Sequence, residues 1–290
     1  MKQIVKRVLV GVTVGAFWAV ALRYMPSEGL FAVLLACSTL CQWEFYKLAE
    51  RGGFTTCRPI GLALGALWLV TLFSVLPGAN GARLEALLLA GGGILLLVQI
   101  LFDTRAQRPM ESAAITLLGL FYVPFLMGFY IRLAQWNVLG PLTLSRGGIF
   151  LAFYASLVVK FTDVGAYAAG MTFGRHKMFP RISPAKSWEG LAGGLVLSVI
   201  FSMGAVLVAR SWPDVVPVTP LTHMRLSVAA ALGLLLGVVG VLGDLVESMF
   251  KRSVKAKDSS SVIPGLGGLL DVFDSLLFAP VVLYLLLPLL

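Results

Sequence analysis

The sequence predicts an all-α, polytopic integral membrane protein of about nine transmembrane helices, and three observations carry that expectation. Apolar residues make up 58% of the 290-residue chain and charged residues only 13%, against roughly 25% charged in a soluble domain. The mean hydropathy is +0.91. The apolar residues fall in blocks of about 20, the length a helix needs to cross a hydrocarbon core of roughly 30 Å. Helices are expected throughout, because lipid offers no partner to an unpaired backbone N–H or C=O.

The blocks run near residues 8–25, 29–43, 59–77, 84–102, 112–131, 147–170, 189–209, 225–248 and 269–290. The first follows Lys2, Lys6 and Arg7 and ends near Ala19-Val20-Ala21, in the manner of a signal peptide. A second apolar block follows at once, which favours an uncleaved first helix. That second block is short, and reads as re-entrant or as extending through Trp43. The last two blocks carry acidic residues at their ends. Cys37 and Cys41 lie one helical turn apart in an apolar run and read as packing residues. With Cys57 they set out neither a metal spacing nor a disulfide framework.

Nine spans make the connecting segments alternate between two sides. Sixteen Lys and Arg residues fall on one side, among them Lys47, Arg51, Arg175, Lys186, Lys251 and Lys257; six fall on the other. Lys160 stays inside a span. This bias places the N-terminus and the two richest loops in the cytoplasm, at a cell (inner) membrane. The net charge of +9 is spread over short loops. It suits topology and anionic lipid headgroups and speaks against nucleic-acid binding.

The chain divides into an N-terminal scaffold of transmembrane helices, 1–146, and a C-terminal catalytic transmembrane domain with cytoplasmic loops, 147–290. In the scaffold, Glu44 and Glu85 lie near span ends, where a carboxylate is expected to reach water. There is no internal repeat, so an inverted-repeat transporter finds no support.

Chemistry concentrates in the second half. Of 14 acidic residues, five (Asp163, Asp244, Glu247, Asp271 and Asp274) lie in or at the ends of the last spans. A charge at membrane depth costs roughly 2.5–3.5 kcal/mol or more, so intramembrane carboxylates are functional candidates, paired or facing a cavity. Asp244, Glu247, Ser248 and Lys251 recur at helical spacing and form one polar stripe. Asp271, Asp274 and Ser275 repeat that arrangement, and Lys160 and Asp163 lie one turn apart, where they also suit a structural pair. The segment 251–268 supplies Lys251, Arg252, Lys255 and Lys257, several hydroxyls, and a Gly-rich turn. Glycines let backbone N–H groups approach an anion, and Lys and Arg neutralise phosphate oxygens. The flanking carboxylates suit a hard cation such as Mg2+. Together these are materials for binding a nucleoside triphosphate from the cytoplasm. A second basic loop, Phe173 to Gly190, contains Ser183 and Lys186. His176 and His223 read as surface residues.

Residues 244–275 resemble the signature of the phosphatidate cytidylyltransferases, or CDP-diacylglycerol synthases. The matching residues are Ser248-Met249-Phe250-Lys251-Arg252, Lys257-Asp258, Pro264-Gly265-Leu266-Gly267-Gly268 and Asp271-Val272-Phe273-Asp274. Upstream, Asp163, Ala166-Tyr167, Gly170, Phe173-Gly174 and Ile182 through Gly190 are also similar to that family. Leu266 and Val272 stand where the family has His and Arg. The resemblance implies the reaction of CTP with phosphatidate to give CDP-diacylglycerol and pyrophosphate. It implies a divalent metal, Mg2+ with room for a second cation, held by Asp244 and Asp271. Lys251 and Arg252 join these two as catalytic residues. Substrate binding is assigned to Ser183, Lys186, Ser248, Lys257, Asp258, Gly265, Gly267, Gly268, Asp163, Glu247 and Asp274. A cytoplasm-facing funnel and a homodimer are also implied. A CTP-dependent lipid-alcohol kinase or a diverged family member is the nearest alternative. An ion-coupled transporter, using the buried carboxylates, is the alternative of another class.

Overall fold

The computed structural model describes residues 24–75, 78–103, 108–138, 140–212, 217–260 and 267–290. Seven helices among them are long and apolar enough to cross a membrane: Ser27–Arg51, Asn80–Phe102, Pro109–Ala134, Arg146–Phe173, Trp188–Ser211, Leu226–Ser253 and Leu270–Leu289. Each coincides with an expected block. The first expected span, 8–25, lies almost wholly outside the described residues.

The second block is neither short nor re-entrant. Helix α1 (Ser27–Arg51) runs for 25 residues, because Phe45, Tyr46, Leu48 and Ala49 continue the buried face beyond Trp43. Helix α2 (Arg58–Ser74) has 17 residues, about 25 Å at 1.5 Å per residue. It nevertheless connects the two ends of the bundle. Arg58 at its start pairs with Glu50 at 3.0 Å, and Phe73 O near its end accepts from Leu142 N at 3.1 Å.

Helix α3 (Ala79–Phe102) turns Leu87, Ile94, Leu101 and Phe102 outward, as a lipid-facing helix does. The next span comprises α4 (Pro109–Leu120), a π turn (Phe121–Phe125) and α5 (Leu126–Ala134). Pro124 lies within the π turn; proline has no N–H to donate and its ring displaces the carbonyl four residues back, which widens the turn. Helix α6 (Arg146–Phe173) starts at Ser145, whose Oγ accepts from Gly148 N at 2.8 Å.

A short antiparallel hairpin, β1 (Lys177–Phe179) and β2 (Ser183–Ser187), interrupts the helices, with Lys177 opposite Ser187. Helices α7 (Trp188–Ser211), the one-turn α8 (Pro220–His223) and α9 (Leu226–Ser253) follow. The final span is broken into α10 (Leu270–Phe273), a 3-10 turn (Asp274–Leu276), α11 (Ala279–Leu286) and a closing 3-10 turn (Leu287–Leu289).

Two of the buried apolar clusters among the described residues position the site. One joins Tyr154, Val158, Leu232, Leu236 and Leu283. The other joins Cys41, Phe45 and Tyr122 to Leu270 and Leu277. The second core therefore packs the first helices directly against the last span. Polar side chains tie the first described helix to its neighbours: Tyr46 Oη donates to Thr116 O at 2.8 Å and Gln42 Nε2 to Gly61 O at 2.8 Å. The two basic loops lie at one end, where Arg252 Nε donates to Ile182 O at 3.2 Å. Leu144 and the start of α1 meet at the other, where Leu144 N donates to Ser27 Oγ at 3.0 Å.

Candidate active site

The polar stripe on α9 serves two different partners. Asp244 Oδ2 pairs with Lys186 Nζ of β2 at 2.9 Å, and Ser248 Oγ donates to Asp244 Oδ1 at 3.3 Å. Lys186 also donates to Val241 O at 3.3 Å, which seats the hairpin on α9. On the neighbouring edge of the stripe, Glu247 is fully buried and ion-paired with Lys251. Lys251 bridges onward to Asp271 Oδ1 at 2.6 Å.

Asp271 is saturated with donors. Its Oδ2 accepts from Gly268 N at 2.7 Å, Ser259 Oγ at 2.8 Å and Ser259 N at 3.0 Å. The break in the last span makes this geometry: α10 is only four residues long, so its first amides and the preceding turn remain free to bind side chains.

A third group forms where α6 meets the 3-10 turn. Lys160 Nζ donates to Ser275 Oγ at 3.0 Å and Val272 O at 3.1 Å, and lies 3.5 Å from Asp163 Oδ2. Ser275 Oγ donates to Asp163 at 3.3 Å, while the Ser275 N–H binds the buried carboxylate of Asp274. Lys160, beside Asp163, and Lys186, paired with Asp244, bring cations to the carboxylates gathered here. Gly243 allows this proximity: a Cβ there would lie 2.6 Å from Asp274 O, so any side chain would push α9 away from the turn.

The loops complete the site unevenly. Arg252 is exposed and donates to Ile182 O and Ala256 O, at 3.2 and 3.0 Å. Lys257 and Asp258 are exposed, and Ser183 is half-buried at the start of β2. Gly267 has φ +93°, a left-handed turn that favours glycine. Gly265 and Leu266 lie outside the described residues. His176 and His223 are exposed as expected, and His176 Nδ1 lies 2.6 Å from Glu189.

The model of the cytidylyltransferase family matches residues 5–290. The chain belongs to that family. It is 32% identical over 263 residues to a phosphatidate cytidylyltransferase of Bacillus subtilis, covering 89% of each chain. To the Haemophilus influenzae protein of the same name it is 36% identical over 187 residues, covering 63% of this chain and 61% of the relative. To that of Mycobacterium bovis it is 29% identical, covering 98% of this chain and 88% of the relative.

Against this family background, one expectation is corrected. Glu44 does not reach water; it is 1% exposed. It accepts from Ser260 Oγ at 2.6 Å and from the Leu270 and Leu269 amides at 2.8 and 3.1 Å. Sequence reasoning missed it because the helix was ended at Trp43; extended to Arg51, the same helix carries Glu44 two turns inside the bundle. Glu85 lies near the start of its span as expected, with its side chain 23% exposed, and is ion-paired with the buried Arg132.

The donor chemistry at Asp244 and Asp271 fits a hard cation, since both offer carboxylate oxygens. Asp244 fits more readily, with its side chain 30% exposed. Asp271 requires one of its present donors to yield. Among the described residues, no group of three or more His, Cys, Asp or Glu side chains is arranged to hold a metal ion.

Proposed function

We propose that this family member transfers the cytidylyl group of CTP to phosphatidate at the end of the bundle where its basic loops meet. The observation that carries the reading is the joining of Lys186, on the hairpin, to Asp244, beside the Lys251–Asp271 pair. Two basic loops distant in sequence thus converge on one set of intramembrane carboxylates. A transporter has no need of that convergence, and the matched relatives bear the name phosphatidate cytidylyltransferase.

In this reading a phosphate oxygen of phosphatidate attacks the α-phosphorus of CTP. The P–O bond to the β-phosphate breaks, and pyrophosphate leaves with its electron pair. The nucleophile is already an anion, so the protein's task is to align two anions and offset their repulsion. Exposed Arg252 and Lys257 are placed to meet the triphosphate. Lys251 is 8% exposed and held between two carboxylates; its part is to fix Asp271. Lys186 orients Asp244 and is sufficiently exposed, at 21% of its side chain, to reach a phosphate oxygen. Asp244 and Asp271 would hold Mg2+, which when bound supplies positive charge to the phosphate oxygens. The excess of cations at this end supports a cytoplasm-facing site with the N-terminus on the same side, in the inner membrane of a bacterial cell. A homodimer remains part of the proposal.

CTP labelled at the α- or γ-phosphate, supplied with phosphatidate or with diacylglycerol in mixed micelles, tests the reaction. We expect α-label in the lipid, and pyrophosphate released one for one. Label from the γ-phosphate in a lipid alcohol would make the protein a kinase. Absence of both products, with ion flux in proteoliposomes, would make it a transporter.

A further inference from the structure

We propose that Glu44, assisted by Arg51, is a positioning residue for the reaction. It anchors Ser260 and the Leu269–Leu270 start of the last span and, through Ser259, sets the Asp271 carboxylate and the Lys251 ammonium. The catalytic consequence rests on the function proposed above; the anchoring itself does not.

Glu44 lies on α1, flanked by buried Cys41, Phe45, Tyr46 and Leu48. A carboxylate so enclosed is costly unless its oxygens are satisfied. Three donors hold its oxygens, all more than 200 residues away in sequence: Ser260 Oγ at 2.6 Å, Leu270 N at 2.8 Å and Leu269 N at 3.1 Å, with Ser259 Oγ packed 3.2 Å away. Two of these are the amides that open α10. One side chain of the first described helix therefore holds the start of the broken last span.

Ser259 passes the constraint to Asp271. Its Oγ is 3.2 Å from Glu44 and 2.8 Å from Asp271. A hydroxyl has one proton to donate, and the shorter contact assigns it to Asp271. The Ser259 amide donates to the same carboxylate at 3.0 Å. Ser259 thus presents both its donors to Asp271 while wedged against Glu44. Arg51, two turns beyond Glu44 on the same face of α1, holds the Ser259 carbonyl at 3.1 Å. Gly268 passes between these groups with no room for a Cβ, which would strike Ser259 Oγ and the Glu44 carboxylate. Asp271 in turn fixes Lys251 at 2.6 Å. The path from Glu44 to Lys251 is contiguous, and Glu44 itself need touch no substrate.

The test is Glu44→Gln, with Glu44→Asp as the conservative variant. An amide has one accepting oxygen, and its NH2 group would face the N–H of Leu269 or of Leu270, so one of these two backbone contacts must be lost. Ser260→Ala is the milder variant; it removes one donor from Glu44 and leaves Asp271 untouched. Glu28→Gln, exposed at the far end of α1, is the control. Hydrogen–deuterium exchange is measured on purified wild type and variants in detergent, without substrate. We expect faster exchange confined to 267–273 in Glu44→Gln and Ser260→Ala, partial restoration in Glu44→Asp, and no change in α7. Turnover should fall about 10- to 100-fold in Glu44→Gln, in the range of lost support around a catalytic centre. The loss should appear in kcat, together with a raised Mg2+ concentration for half-maximal rate, and CTP KM should be little altered. Unchanged exchange in 267–273 in Ser260→Ala and Glu44→Gln would overturn the anchoring, whatever reaction the protein performs. Altered exchange with normal kcat and Mg2+ dependence would overturn the positioning role. If Glu44→Gln does not fold, Ser260→Ala decides both points.

Discussion

Lys186 Nζ lies 2.9 Å from Asp244 Oδ2, joining the base of a surface hairpin to a carboxylate within a membrane helix. The pair is partly open, with side-chain exposures of 21% and 30%, so either group can exchange its partner for a substrate phosphate or a cation. The neighbouring Lys251–Asp271 pair is closed, with both side chains 10% exposed. This difference leaves Asp244 open to a new partner, whereas Asp271 admits one only if a present donor yields.

Lys251→Met is expected to destabilise the protein more than Lys186→Met. Removing Lys251 leaves Glu247 and Asp271 without their cation in a buried position, and breaking a buried ion pair by deleting one partner costs about 3–5 kcal/mol. Lys186→Met leaves a carboxylate that water can reach. Thermal unfolding in detergent should show a large drop for the first variant and a small one for the second, while both lose turnover. Equal stabilities would contradict the distinction between open and closed pairs.

Glu85→Gln should lower stability by about 2–3 kcal/mol, because it leaves the buried Arg132 guanidinium without its anion. Arg132 also contacts Val75 O and Gln135 Oε1, at 3.4 and 3.3 Å, so the ends of α2 and α5 should loosen together. Turnover per folded molecule should be unchanged. The measurement is the melting temperature alongside turnover corrected for the folded fraction; loss of turnover at full stability would give Glu85 a part in the chemistry.

Sidedness is testable by single cysteines in a variant lacking Cys37, Cys41 and Cys57. Positions Gly52, Arg181 and Lys257, all exposed, should label from the cytoplasm, and Thr143, exposed at the opposite end, from outside. Labelling of 181 and 257 from opposite sides would be incompatible with the Arg252–Ile182 contact.

The helices were legible because their signal is local. Apolar blocks of membrane length give the spans, and the i, i+3, i+4, i+7 spacing of Asp244, Glu247, Ser248 and Lys251 gives the polar stripe. What each member of the stripe meets was not legible. The division between Lys186 and Asp271 depends on how α9 is rotated between the hairpin and the last span. The hairpin itself left no alternating pattern, since its strands are three and five residues long and Pro184 lies within the second. Glu44 was hidden for a different reason: two of its donors are backbone amides, which every residue but proline carries, and they lie 225 and 226 residues away. The Gly267–Gly268 turn was read as material for binding phosphate, yet Gly268 N binds Asp271 and its α-carbon has the Glu44 carboxylate beside it.

Asp244→Asn and Asp271→Asn should both abolish cytidylyl transfer, but for distinguishable reasons. At Asp244 the substitution removes the anion facing Lys186, where the side chain is partly open and Ser248 can still bond the remaining carbonyl oxygen. The fold should survive with little loss of stability. At Asp271 the amide cannot serve all its donors: Lys251, Ser259 and Gly268 supply four hydrogens to the two oxygens, and replacing one oxygen by NH2 sets donor against donor. Lys251 would keep only Glu247. Asp271→Asn should therefore lose turnover and also several degrees of melting temperature. The double variant should turn over no worse than either single one, since residues acting as a unit are strongly non-additive. Turnover and melting temperature are followed against Mg2+ concentration for all three variants. Mg2+ should raise the melting temperature of the wild type and lose that effect in each Asp variant. Near-normal turnover in either single variant would remove that carboxylate from the mechanism. A retained Mg2+ shift in both would place the cation elsewhere.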